Sequence, residues 1–98
     1  MGIDTERQKV ADLLNAAAQA NKKRFRSELV IAYRELFSTD PDYAFAAARM
    51  TPEALAEKMI AGLVDGSANH DGSGIKRACK AVGIKHTRTA IRAYLAEA

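Results

Sequence analysis

A single cysteine, Cys79, leaves this chain of 98 residues no internal disulfide to form, so nothing in it calls for an oxidising compartment. It has no apolar run long enough to span a bilayer, and residues 1–7 (Met-Gly-Ile-Asp-Thr-Glu-Arg) are too polar for a signal peptide. A cytoplasmic location and no membrane partner are the default expectation. Runs of Val, Ile, Thr and aromatics are also missing. Alanine and leucine dominate instead, and there are only two prolines, which favours an all-α fold. No internal repeat is visible at any period, and the length suits one domain. A chain of this size buries roughly two-thirds of its unfolded surface. That supports one core and argues against deep internal pockets.

The net charge of +3 is small and says little by itself about partners. Its distribution says more. Basic residues concentrate at Lys22, Lys23, Arg24 and Arg26 and again from Lys76 to Arg92, whereas most acids lie in residues 4–12, 35–42, 53–57 and 65–71. No acid occurs between Asp71 and Glu97. Segregation of this kind produces a local field stronger than the net value implies.

Helix signals run along the chain. Thr5 followed by Gln8 forms a capping box, and Val10, Leu13, Leu14, Ala17 and Ala18 make a stripe expected to be buried. Asn21 is the expected break, with a helix continuous through Lys22 as the alternative. A second helix over 22–37 carries Phe25, Leu29, Val30, Ala32, Tyr33, Leu36 and Phe37 on one broad face, which predicts the centre of the core. The basic residues at its start would oppose the helix dipole. They belong either to the end of the preceding helix or to an anionic partner. Asp40-Pro41 and Thr51-Pro52-Glu53 each read as a cap, a first-turn proline and a helix start. They predict a short helix with Tyr43, Phe45, Ala46, Ala47 and Met50, then one to about Val64 that buries Leu55, Met59, Ile60 and Leu63. Gly62 within it marks close packing or an early end. Residues 65–74 predict a mobile loop joining a helical body, 1–64, to a C-terminal pair, 75–97. The expected fold is a compact bundle of five or six short helices.

In that pair, Ile75, Ala78, Cys79 and Val82, then Ala90, Ile91, Tyr94 and Leu95, follow helical spacing. Gly83 suits the left-handed residue that ends a helix, with Ile84 plugging the junction. Over residues 75–95 the pattern resembles the helix-turn-helix family: a small residue at the crossing, the turn glycine and an apolar residue after it. The second helix departs from the family's register, which would turn Thr89 and Arg92 inward, so base contacts do not carry over residue by residue. The resemblance implies a small regulator binding duplex DNA, with Arg88, Thr89 and Arg92 toward the groove. Lys76, Arg77, Lys80, Lys85 and His86 would contact phosphates. Two bundle helices with a solvated basic face are the competing reading. A helical adaptor docking on an acidic protein is the functional alternative, and a homodimer through the first two helices is a further one.

Other chemistry finds little footing. Asn69, Asp71 and Ser73 open like a calcium loop, but Lys80 stands where the bidentate glutamate belongs. Cys79, His70 and His86 lack the paired spacings of a zinc site. Cys79 lies on an apolar stripe and reads as a core thiol, not a nucleophile. No cofactor and no enzymatic activity are expected. The aromatics, all fitting inward stripes, favour duplex over single-stranded nucleic acid.

Overall fold

A computed structural model describes the backbone from Gly2 to Ala96 and the side chains within residues 6–95, other than that of Leu14. Five helices follow in order: α1 (Gly2–Thr39), α2 (Pro41–Ala47), α3 (Pro52–Asp65), α4 (Ser73–Val82) and α5 (Arg88–Ala96). The fold is all-α, as the composition and periodicity require. Among the described residues no helix is long and apolar enough to cross a membrane.

The two helices expected before residue 38 are one. α1 runs 38 residues without interruption, a span of about 57 Å at 1.5 Å per residue, and it accounts for the 59 Å long dimension of a molecule only 22 Å across. Between Ala16 and Arg26 there is neither Gly nor Pro, and Asn costs a helix interior only a few tenths of a kcal/mol. Asn21 therefore does not break the helix. Its side-chain amide donates to the Tyr94 carbonyl at 2.9 Å, tying the middle of α1 to the last turn of α5. The start also differs. The backbone is already helical at Gly2, so Thr5 lies inside the helix, and Gln8 donates to Asp12 at 3.0 Å. The expected cap hydroxyl of Thr5 and inward side chain of Leu14 lie outside the described side chains.

The second half of α1 is the spine of the core. Phe25, Leu29, Ala32, Tyr33 and Leu36 are buried on one face, and α3, α4 and α5 all pack against it. Ala56 and Leu63 of α3, Ile75, Ala78 and Cys79 of α4, and Ile91 and Leu95 of α5 complete the buried cluster. Full burial of each large apolar side chain contributes roughly 1.5–3 kcal/mol. Phe25 leans on Tyr94, and Tyr33, Phe37 and Tyr43 form a trio with centroids 5.9–6.4 Å apart.

The helix starts form as their local chemistry directs. Asp40 accepts from the Asp42 amide at 2.9 Å, with Pro41 next in line, and Thr51 accepts from the Ala54 amide at 3.1 Å ahead of Pro52. α4 starts at Ser73, so Gly74 is helical and buried. Its absent Cβ is what lets the helix lie directly on the Tyr33 ring. Gly62 marks close packing: a Cβ there would stand 2.7 Å from that of Ala68. Phe45 does not follow its expected inward stripe. It is 68% exposed, with the Arg49 guanidinium 4.4 Å from its ring centre, because α2 is two turns long and Tyr43 alone reaches the core.

Candidate nucleic-acid interface

α4 and α5 are set by three local devices. Gly83 adopts φ 79°, ψ 28°, its amide donating to the Lys80 carbonyl at 3.2 Å, while the Ile84 amide donates to Cys79 at 2.9 Å. This is the left-handed closure expected from the sequence, with Ile84 half-buried beneath it. Thr87 then caps α5, accepting from the Ala90 amide at 3.2 Å. A threonine directly before a new apolar spacing was the available sequence signal for this cap. Both helices pack chiefly on α1, and α5 also on α3. Their orientation is thus fixed by the spine far more than by contact with each other, unlike a pair held mainly by its own crossing.

This arrangement turns Ile75, Ala78, Cys79, Ile91 and Leu95 inward. All eight candidate contact residues are exposed: Lys76, Arg77, Lys80, Lys85, His86, Arg88, Thr89 and Arg92. They are not equivalent. Arg77 reaches back to Glu35 of α1 at 3.3 Å, an exposed ion pair that partly neutralises it. Arg88 donates to the Gly66 carbonyl at 2.8 Å, which orients its guanidinium while leaving the charge uncompensated. Arg88, Thr89 and Arg92, with Ala93, line a shallow depression of about 270 Å³. Among the described residues the ion pairs are Arg26–Glu57, Arg34–Glu53 and Arg77–Glu35. Lys76, Lys80, Lys85, Arg88 and Arg92 take part in none of them.

Comparison with family models, with characterised proteins and with solved structures returns no match for this chain. Its own geometry therefore carries the functional argument.

The loop before α4 is tied at several points. Asp65 accepts from the Ser67 amide at 2.7 Å, and hydrogen bonding from the Ser67 hydroxyl, with that from its amide, holds the carboxyl below the usual range. The Ala68 amide donates to Gly62, and Arg88 holds Gly66. Arg88 thus links the loop to the first turn of α5 across 22 residues, a contact with no signature in the sequence.

The second basic cluster does not sit at a helix start, since α1 is continuous there, so the expected conflict with a helix dipole disappears. It also divides. Lys22, Lys23 and Arg26, with Gln19, rim an open groove of about 580 Å³ whose other wall is Glu57, Ile60, Ala61 and Val64 of α3. Arg24 is not part of that rim; two residues from Arg26, it lies about 200° around the helix.

Cys79 is 1% exposed, and burial pushes its thiol up to about 11. A thiol in that state is a core side chain and not a nucleophile. Among the described residues no three His, Cys, Asp or Glu side chains gather as metal ligands.

Proposed function

We propose that this protein binds duplex DNA through Lys76 and Lys80 on α4, Lys85 in the turn, and Arg88 and Arg92 on α5. The observation that carries the reading is the state of these five cations. All are exposed, none has a carboxylate partner among the described residues, and they lie within a stretch, residues 72–96, that contains no acid. Exposed, uncompensated cations on two consecutive helices and the turn between them supply the positive charge that a phosphate backbone requires. Thr89, one residue into an exposed helical face, is placed for a groove contact, and the five cations for phosphates.

Five phosphate contacts give a slope of log affinity against log salt of roughly −4.5. Anisotropy titration of a labelled duplex over a salt series measures it. Lys80→Ala and Arg92→Ala each flatten the slope by about one. Glu35→Gln, which releases Arg77, steepens it by a similar amount. No binding at low salt removes the proposal.

One observation favours a second reading. The groove between α1 and α3 has an apolar floor of Ile60, Ala61 and Val64 beneath Lys22 and Lys23, with Arg26 already paired to Glu57, a combination suited to an acidic amphipathic helix of a partner protein. Recovery of a protein partner that survives nuclease treatment and is lost with Ile60→Glu supports this adaptor role. Binding that disappears with nuclease supports the DNA reading.

A further inference from the structure

The first half of α1 extends beyond the body. From Glu6 to Ala20 every described side chain is exposed except that of Ala18, which is half-buried. Val10 is 55% and Leu13 70% exposed. An amphipathic helix with an uncovered stripe needs either a lipid surface or another helix. Six residues decide between these: Glu6, Val10, Leu13, Ala17, Ala20 and Arg24 follow one another at alternating intervals of four and three. That 3.5-residue period defines a helix–helix seam. It is too small and too narrow for membrane insertion, which favours large aromatic and aliphatic groups. All six are exposed.

The seam complements itself when run antiparallel. With a two-fold axis level with Asn15, Leu13 falls opposite Ala17 of a second copy, Val10 opposite Ala20, and Glu6 opposite Arg24. Every apolar layer then pairs one large with one small side chain, which lets the helices approach closely. Each end of the seam closes with a carboxylate facing a guanidinium. Moving one helix by a heptad loses this match, since Leu13 then meets Arg24, or Glu6 meets Ala17. Arg24 is free for the role because it points away from the groove rimmed by Lys22, Lys23 and Arg26. Lys9 and Lys23 flank the seam on the same side, a like-charge contact that limits affinity.

We propose that two copies of this protein pair through the α1 arms, antiparallel, in the register Glu6–Arg24, Val10–Ala20 and Leu13–Ala17. The partner is a second copy of the chain, and the two bodies lie at opposite ends of the paired arms. The seam from Glu6 to Arg24 is about 27 Å long, and an interface of that size belongs to the weak class. Dimers are therefore expected at protein concentrations on the order of 100 μM. The inference stands apart from DNA binding, since the seam contains none of the five cations assigned to that role.

Sedimentation equilibrium and directed disulfide formation test it. In a Cys79→Ala background, Leu13→Cys and Ala17→Cys proteins are oxidised separately and as a mixture. The antiparallel register predicts cross-linking mainly in the mixture; parallel pairing predicts it in each protein alone and overturns the proposal. Glu6→Arg should weaken association about tenfold, and Glu6→Arg with Arg24→Glu should restore it. Helicity by circular dichroism, unchanged in these variants, shows that the arm is still folded. A protein that remains monomeric up to about ten times the stated concentration overturns the proposal, as does a charge reversal that fails to restore pairing.

Discussion

Gly74→Ala should destabilise this protein, although helix propensity taken alone gives the opposite sign. Gly74 lies in the first turn of α4 with ordinary helical geometry, where alanine would be favoured by about 1 kcal/mol in an interior position. The added methyl, however, lands on the Tyr33 ring. It would overlap Cε1 and stand 2.9 Å from both Cδ1 and Cζ. The ring has little room to retreat, since Tyr33 is 2% exposed with Phe37 and Tyr43 rings 6.3 and 5.9 Å away. Overpacking of this kind costs roughly 1–3 kcal/mol, occasionally more. The direct overlap puts the cost in the upper part of that range, so after the propensity gain the net expected loss is about 1–2 kcal/mol, a fall in Tm of roughly 5–15 °C for a domain of this size. Thermal and urea unfolding followed by circular dichroism give the value. In a Tyr33→Leu background the same substitution should cost at least about 1 kcal/mol less, because the ring it strikes is absent. A Tm unchanged or raised by Gly74→Ala would show that α4 does not rest on Tyr33 as described. Equal costs in the two backgrounds would refute the steric cause.

Asp40→Ala and Thr51→Ala each remove a side-chain acceptor from a helix start and should lower stability by about 1 kcal/mol, nearly additively, as urea titration of the single and double variants will show. The Cys79 thiol should be inert to an aromatic disulfide reagent in the native protein at neutral pH and react fully in denaturant, because it is buried and its acidity is suppressed; fast native labelling would contradict its place in the core. Alkaline pH should weaken the fold. Desolvation, and for Tyr33 also the nearby Tyr43, raises both the Cys79 thiol and the Tyr33 phenol above their ordinary values. Their contribution is complete below about pH 8, where thiol and phenol are protonated in folded and unfolded chains alike. It declines as the unfolded chain begins to ionise, the thiol first, so Tm should fall progressively from about pH 8 to 11, and by less in Cys79→Ala relative to its own value at about pH 7.

Where the governing chemistry is local, the sequence was enough. Asp40-Pro41, Thr51-Pro52 and Gly83-Ile84 place helix ends because the cap, the missing proline amide and the left-handed glycine act within a few residues. The core face of α1 was readable for a related reason, since Phe25, Leu29, Tyr33 and Leu36 keep one helical phase over three turns. Exposure of the C-terminal cations followed from the opposing stripes. Their ties did not: Arg77–Glu35 and Arg88–Gly66 join residues 42 and 22 positions apart, and only the packing of α4 and α5 on the spine brings them together.

The arm shows the limit of periodicity most clearly. A stripe at Val10, Leu13 and Ala17 states that a face of the helix is apolar; it does not state what covers it. The phase contains the missing information. Ala17 precedes Phe25 by eight residues, which places it about 80° around the helix from the core face, and Leu13 lies farther round. Because α1 is continuous through Asn21, the two stripes cannot both face the same bundle. A break at Asn21 would have let the first helix fold back and bury its stripe within the chain. Continuity denies that, and the capacity of Asn21 to find its partner in the Tyr94 carbonyl, instead of ending the helix, is what leaves the seam of the arm available to a second molecule.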